Sequence, residues 1–265
     1  MDTLKQNKAL INKDNQPNKR VELPMHEFFF INFISYIIPL YFCVGLVILL
    51  EYFLLFIVSI DFSLHLIILP PILLSIYYLF IIFFIELAAF WVRRWNRKNQ
   101  PKVGIFKRVL DNKESEEGRL IQYYHRRGFI LRSCIWLSSK SPFPWLVNRA
   151  LRKVGHNKIG KNVIYCNSYV GLEFTELGDN TFFYPTSLVS SHSVESIFGK
   201  LSLHEVKIGK NTIIYPGITI GPGAQTKEND VIYPNSLLHK NWRGIEDKAY
   251  YQGVPAKPLN CEKEK

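Results

Sequence analysis

The 265-residue chain is poor in charge over one long stretch and lacks clustered cysteines. Residues 28–92 contain no Lys or Arg and only three acids, so the other 200 residues carry 52 of the 55 charges and a net charge of +14 (33 minus 19). This division excludes an ordinary soluble domain, and the richness in aliphatic and aromatic side chains excludes a disordered chain. The four cysteines form no C-x-x-C pair and no evident disulfide framework, which favours a reducing compartment.

The uncharged stretch contains two apolar runs that are long enough to cross a membrane. Phe28 to Leu50 is almost wholly apolar, and Leu66 to Ile85 is twenty residues without a charge. About twenty residues at a rise of about 1.5 Å span the hydrocarbon core, so we expect two transmembrane helices joined by a tight turn. Glu51 and Glu86 lie toward the ends of the spans, where we expect their carboxylates to reach the membrane interface.

The charges beside the two spans predict their orientation. Five basic residues precede the first span, and seven follow the second before the next acid, Asp111. The turn between the spans offers only Asp61. Because positively charged flanks stay on the cytoplasmic side, we expect both termini in the cytoplasm. The polar N-terminal stretch is too long and too mixed for a signal peptide.

Residues 93–153, which we call the collar, mix cationic and aromatic side chains. This combination suits the headgroup layer of a membrane. The run from Tyr123 to Arg132 is typical of an interfacial helix, of a site for an acidic ligand or of a solvated basic face, and the sequence leaves these readings open. Because the positive charge is concentrated where membrane topology already requires it, we expect no nucleic-acid partner.

The C-terminal half repeats with a period of six residues. Two runs of six hexads, 159–194 and 208–243, begin with the near-identical blocks IGKNVI and IGKNTI. Ten of the twelve first positions are large and apolar, which excludes an amphipathic helix, because its apolar stripe returns every three or four residues. Six residues suit one short strand and a turn, so three hexads predict a triangular coil and the two runs predict four stacked coils.

Each position in the hexad has an expected role. The first side chain is expected to point into the coil and to stack on the next coil. The fifth position is mostly small, and Gly, Asn, Asp and Pro occupy the turns, as corners require. Residues 195–207 interrupt the hexads, and we expect them to protrude as a loop.

From Ser190 to Leu259 the sequence resembles the left-handed β-helix hexapeptide-repeat acyltransferases, particularly the sugar and exopolysaccharide O-acetyltransferases. The resemblance is carried, in order, by the pair Ser191-His192, the run 216–221 (PGITIG) and the run 253–257 (GVPAK). It implies an all-β left-handed parallel β-helix of about four coils, acetyl-CoA as the donor, and a homotrimer. A looser similarity is to the membrane-embedded C-terminal region of poly-lysine-type peptide synthetases, which implies an aminoacyl or peptidyl acceptor.

Acyl transfer from a thioester to a hydroxyl needs a base for the acceptor proton and hydrogen-bond donors for the oxyanion. The resemblance assigns the base to His192, whose neutral imidazole would take the proton without a covalent intermediate. Glu195 and Glu205 are both candidates to orient the imidazole, and the sequence does not choose between them. In the family, the interruption helps to build the site across a subunit boundary.

For the donor, the resemblance implies that pantetheine lies along the coils and that basic side chains approach the phosphates of coenzyme A. The corresponding residues are Gly217, Gly221 and Ala224 for pantetheine, and Lys240 and Lys257 for the phosphates. The additional hexad TKENDV departs from the family's pattern just before Lys240.

A zinc-dependent hydratase of the γ-carbonic-anhydrase kind is the main enzymatic rival on this scaffold. Such a site needs three histidines that converge on the metal, two of them closely spaced. The histidines of the C-terminal half show no such pair, so we expect no metal: His156, His192, His204 and His239.

The sequence predicts five segments and one preferred function. The segments are a cytoplasmic basic tail (1–27), two transmembrane helices (28–92), the interfacial collar, helical in character (93–153), the β-helix acyltransferase domain (154–259) and a second tail (260–265). The preferred function is transfer of acetyl from acetyl-CoA to a hydroxyl of an envelope or lipid-linked saccharide at the cytoplasmic membrane surface. Two alternatives remain: a peptide or aminoacyl transferase with a carrier-bound donor, and a non-catalytic scaffold for a membrane partner.

Overall fold

A computed structural model describes residues 25–109, 114–166, 168–170, 173–195 and 199–259. Nearly all of the predicted tail 1–27 and the whole of the predicted tail 260–265 lie outside the described residues. The chain divides into two compact units. Residues 99–125 and 156–259 belong to the first, which we call the β unit, and residues 25–98 and 126–155 to the second, the helical unit.

The helical unit contains the two predicted long apolar helices. Helix α1 (Met25–Tyr52) continues through a short π-helical segment (Phe53–Ile57), and helix α2 covers Phe62–Lys98. Both are long and apolar enough to cross a membrane. Helix α3 (Glu116–Ser139) contributes its second part to this unit, and helix α4 (Leu146–Val154) completes it.

Glu51 and Glu86 both have partners within the helical unit. Glu51 Oε2 lies 3.3 Å from Nε2 of His65, which is buried near the start of α2. Glu86 accepts a hydrogen bond from Arg149 of α4, and Lys153 Nζ lies 3.3 Å from its Oε1. A carboxylate among apolar side chains is stabilised by such partners. The positions of Glu51 and Glu86 in the sequence, toward the ends of the apolar runs, do not reveal this pairing.

The β unit is a stack of short parallel strands arranged on three faces. The first face consists of β3 (Ile164–Tyr165), β5 (Phe182–Phe183), β10 (Ile213–Ile214), β12 (Val231–Ile232) and β14 (Tyr250–Gln252). The second consists of β6 (Leu188–Val189), β11 (Thr219–Ile220) and β13 (Leu237–Leu238). The third begins with β2 (Lys158–Ile159), β4 (Thr175–Leu177) and β9 (Val206–Ile208).

The strand register follows the hexad repeat. Ile164 pairs with Phe182, and Ile213 pairs with Val231, so that the partners in each pair are three hexads apart. The offset between the paired residues Phe182 and Ile213 is longer, because it contains three hexads and the whole interruption 195–207. The prediction of three-hexad coils is therefore confirmed. Strand β14, which lies outside both hexad runs, adds a fifth strand to the first face.

The apolar first positions of the hexads fill the interior of this stack, as predicted. Phe183 of β5 and Ile220 of β11, for example, have no exposed surface. Eight first positions are 2% exposed or less: Leu177, Phe183, Val189, Ile208, Ile214, Ile220, Ile232 and Leu238. Stacking these side chains removes a continuous column of apolar surface from water, which is the main stabilising contribution in such a solenoid.

One corner of the stack is built from asparagines. Asn162, Asn180, Asn211 and Asn229 all have a positive φ, between 54° and 61°, a left-handed conformation that asparagine tolerates. Their side chains form a ladder in which each amide donates to the next, at distances of 3.1, 3.0 and 2.9 Å. The asparagines that the repeat predicts as turn residues therefore also join neighbouring coils.

The interruption of the hexads folds as part of an antiparallel sheet. Strands β7 (His192–Glu195) and β8 (Lys200–Leu203) pair with each other, and β8 also pairs with β1 (Gly104–Lys107). Leu201 and Leu203 are buried against α3. The interruption leaves the coils, as predicted, but as paired strands whose apolar side chains pack against α3 and not as an open loop. The collar was expected to be helical, but it is helical only in part, because it also contains strand β1.

Candidate active site

His192 begins strand β7, within the last hexad of the first run. Ser190, two residues earlier, holds this turn: its hydroxyl donates to the His192 carbonyl at 2.7 Å and lies 3.5 Å from Nδ1 of the ring. The imidazole packs edge-on against the Tyr124 ring of α3, with 5.7 Å between the ring centroids. The serine and the tyrosine restrict the ring to one side of the strand.

The surroundings of His192 favour the neutral imidazole. Burial lowers the pKa of His192 below its ordinary value, and the charge of Glu173 opposes this shift. Neighbouring His125 is affected more strongly: burial, with the charges of Arg108 and His192, lowers its pKa to about 4. At pH 7 the His192 ring is therefore in its proton-accepting form.

Glu173 is the acid whose charge acts on His192. Its side chain is 2% exposed, and its Oε1 lies 3.5 Å from Nδ1 of His156. It sits inside the first hexad run, in the block GLEFTE, where nothing in the repeat distinguishes it from a turn residue. Sequence reasoning missed this carboxylate because its position depends on the packing of the coils.

The two acids predicted to orient the imidazole point to other partners. Glu195 Oε1 lies 4.0 Å from Lys240 Nζ, and Glu205 Oε2 lies 3.1 Å from Lys207 Nζ. In the part of the chain that the structure describes, neither carboxylate hydrogen-bonds to the His192 ring. Glu195 nevertheless shares strand β7 with His192, whereas Glu205 lies beyond β8.

The three residues predicted to line pantetheine have different accessibilities. Gly217 adopts a left-handed turn (φ 71°), and a Cβ there would come within 2.4 Å of the Asn235 side chain. A Cβ on Gly221 would lie 3.1 Å from the backbone nitrogen of Lys240. The left-handed φ of Gly217 and the close approach of the next coil at Gly221 each favour a residue without a side chain. Ala224 has no exposed surface, so its methyl group is enclosed by its neighbours.

The two predicted phosphate-binding lysines are not joined by any contact between described residues. Lys240 Nζ donates to the Ser202 hydroxyl of β8 at 3.1 Å, beside Glu195. Burial lowers the pKa of His204, and the charge of Lys240 lowers it further. Lys257 is exposed on the last strand, β15 (Lys257–Pro258). The structure thus brings Lys240 to the hairpin that carries His192 and leaves Lys257 at the end of the stack.

Tyr124 and His125 were not expected near His192. Both fall in the basic, aromatic run of the collar, whose composition pointed to a membrane surface. Their burial results from α3 packing on the β7–β8 hairpin, a long-range contact that no local pattern encodes. Among the described residues there is no group of three or more His, Cys, Asp or Glu side chains that could hold a metal ion.

No protein-family model and no curated protein matches the chain. Among solved structures, it is similar to a maltose O-acetyltransferase from Clostridium difficile 630, at 19% identity and a TM-score of 0.39, over 51% of this chain and 86% of that one. A galactoside acetyltransferase in complex with coenzyme A matches at 16% identity and a TM-score of 0.39, over 51% and 80%.

A hexapeptide-repeat acetyltransferase from Vibrio cholerae, complexed with acetyl coenzyme A, matches at 15% identity and a TM-score of 0.40, over 56% of this chain and 90% of that one. Because the identities and TM-scores are low, the likeness by itself assigns neither a substrate nor an activity to this chain.

Proposed function

We propose that this protein is a membrane-anchored acyltransferase that moves an acetyl group from acetyl-CoA to a hydroxyl of an envelope or lipid-linked saccharide. One observation carries the proposal: a neutral, half-buried imidazole, His192, stands at the break in the repeat, held by Ser190 and Tyr124. A general base must be in its proton-accepting form and fixed in position, and the lowered pKa of His192 and these two contacts support both conditions.

The proposed step follows from the two nitrogens of the His192 ring. With its proton on Nδ1, toward the Ser190 hydroxyl, the ring presents Nε2 as the acceptor. Nε2 takes the proton of the acceptor hydroxyl while the oxygen attacks the thioester carbonyl. A new C–O bond forms, the C–S bond breaks, and the departing sulfur receives the proton from the imidazolium. Glu173 stabilises the transient positive charge.

Acetyl-CoA, when bound, supplies the activated acetyl group. Lys240, beside the hairpin, and Lys257, exposed on β15, are proposed to approach its phosphates. Gly217 and Gly221 are proposed to lie along pantetheine with their backbone, since the positions that a Cβ would take there are crowded by Asn235 and by the backbone of Lys240. Ala224 is the least accessible of the three, because it has no exposed surface and its amide and carbonyl already pair with Gly221 and Lys207. For the orientation of His192 we propose Glu173 in addition to the predicted Glu195 and Glu205.

The proposed architecture places this chemistry at a membrane. Residues 28–92 are proposed to cross the bilayer twice, 93–153 to act as an interfacial collar, and 154–259 to form a left-handed β-helix of about four coils. Both termini and the site face the cytoplasm. The chain is proposed to be a homotrimer in which His192 works in a cleft between neighbouring β-helices. Tethering would confine enzyme and lipid-borne acceptor to one surface and raise their effective concentration.

The proposal is tested with detergent-solubilised full-length protein, labelled acetyl-CoA and a lipid extract. We expect label in a saccharide-bearing lipid, and we expect His192→Ala to reduce the rate by about a hundredfold to ten-thousandfold, the usual range for loss of a general base. His26→Ala is the matched control because His26 is exposed on α1.

The proposal fails if His192→Ala remains folded and active, or if no acceptor is labelled. Transfer from a carrier-bound aminoacyl donor, with free acetyl-CoA unused, would identify a peptide-bond-forming transferase instead. A biological effect that survives His192→Ala would identify a scaffold.

A further inference from the structure

The helical unit contains a cavity of about 390 Å³. Its size lies within the range of small-ligand pockets. All of its lining residues belong to this one unit, on α1, α2 and the second part of α3. Most of the lining is apolar or aromatic, and three polar side chains interrupt it: Asn32, Arg132 and Ser133.

The polar side chains of the cavity are hydrogen-bond donors suited to an anion. The Ser133 hydroxyl donates to Asn32 Oδ1 at 2.8 Å, which leaves the Asn32 amide nitrogen as a donor. Arg132 makes no ion pair with any residue that the structure describes, whereas Arg126 on the same helix pairs with Glu27 at 2.7 Å. The lining contains no carboxylate, histidine or thiol. The cavity is therefore equipped to bind a negative group rather than to transform it.

The remaining walls suit a hydrocarbon chain. Phe84 and Leu137 are buried, while Tyr36 and Trp136 line the cavity and are also exposed. Asn32 lies in the first turns of α1. Phe84 lies in the later part of α2, ahead of the basic residues that follow the second apolar run. Tryptophan, tyrosine and arginine together are typical of the headgroup boundary of a membrane.

We infer that this cavity binds an anionic phospholipid of the surrounding membrane, with the phosphate at Arg132 and Asn32 and an acyl chain along Phe84 and Leu137. A guanidinium and an amide are effective phosphate donors, and apolar walls favour a hydrocarbon tail over water. A membrane phospholipid is the expected occupant because the helices that form the walls are those proposed to cross the bilayer. The inference rests on that membrane placement and is independent of acetyl transfer.

The test uses full-length protein in nanodiscs of equal parts phosphatidylcholine and phosphatidylglycerol. Native mass spectrometry after gentle release is expected to find one phosphatidylglycerol retained in preference to phosphatidylcholine. Arg132→Gln is expected to lower this retention about fivefold, the factor for losing one cation near a lipid phosphate. Arg93→Gln, which removes another exposed arginine outside the cavity, is the matched control and is expected to leave retention unchanged.

Leu137→Trp, which places a larger side chain in the cavity, provides a second variant and is also expected to lower retention. Equal losses in Arg132→Gln and Arg93→Gln, or equal retention of the two lipids by the wild type, would overturn the inference. Co-purification of a saccharide-bearing polyprenyl phosphate at this site, displaced by Arg132→Gln, would also overturn the phospholipid assignment. Failure to enter nanodiscs would instead contradict the membrane placement, so the two failures are distinguishable.

Discussion

The two units of this protein distribute polar and apolar side chains in opposite ways. In the β unit, apolar residues such as Phe183 and Ile220 are fully buried, and the asparagine ladder lies on the surface. In the helical unit, Phe29 is 74% exposed and Ile67 is 71% exposed, whereas Ser35 is fully buried. The β unit is thus arranged as a protein in water, and the helical unit has the arrangement that the proposed membrane placement requires. The same types of side chain are therefore buried in one unit and exposed in the other.

The largest expected effect tests this difference directly. Phe183→Ala empties a fully buried position in the stack of coils and is expected to cost about 3–5 kcal/mol of unfolding free energy. Phe29→Ala removes a ring of the same size from the surface of α1 and is expected to change stability by less than about 0.5 kcal/mol. Thermal unfolding in detergent, followed by circular dichroism, measures both. Similar losses in the two variants would contradict the comparison.

The next effect is a pH dependence of the β unit. The pKa of His125 is about 4 in the folded protein, against about 6.5 in an unfolded chain. As the pH falls from 6.5 to 4, the unfolded chain takes up this proton and the folded chain does not. The contribution of neutral His125 to the unfolding free energy is therefore fully present above pH 6.5. It is lost as the pH falls through this window, at a cost of about 3 kcal/mol at most. The lowered pKa of His192 acts in the same direction.

His125→Gln is expected to flatten this pH dependence, measured as the unfolding midpoint at a series of pH values. His239→Gln, at an exposed position, serves as its control. If both variants keep the wild-type slope, then burial of His125 is not its source.

The smallest effect concerns the asparagine ladder. Asn211 donates to Asn229 and accepts from Asn180, in a left-handed conformation with φ 55°. Asn211→Ala loses both hydrogen bonds and strains the backbone, for an expected cost of about 2 kcal/mol. Asn211→Gly keeps the backbone relaxed, so its cost of about 1 kcal/mol isolates the hydrogen bonds. Equal unfolding midpoints for the two variants would mean that backbone strain contributes little.

Much of the fold could be predicted from the sequence because it repeats. A six-residue period defines which side chains face inward, and the near-identical blocks IGKNVI and IGKNTI define where each run begins. Long uncharged runs likewise predict α1 and α2. These features are local or periodic, so they can be recognised before any packing is known.

The surroundings of the candidate base could be predicted only in part. His192 is marked by its place at the break of the repeat. Tyr124, however, packs against it from α3, and the charge of Glu173, in an earlier coil, acts on its pKa, and both residues are distant in sequence. Glu195 and Glu205 were attractive because they are near His192 in the chain, yet each is paired with a lysine. Which face of β7 the Glu195 side chain takes depends on the alternation of successive side chains along a strand, and not on its distance from His192 in the sequence.

The long offset between the paired residues Phe182 and Ile213 has a consequence for how such a protein changes over time. The coils on either side of the hairpin keep the same register regardless of the hairpin's length, since the additional segment leaves the stack and returns to it at the next rung. The hairpin is thus an insertion whose length the coils do not constrain. Variation confined to it leaves the solenoid that supports it unchanged.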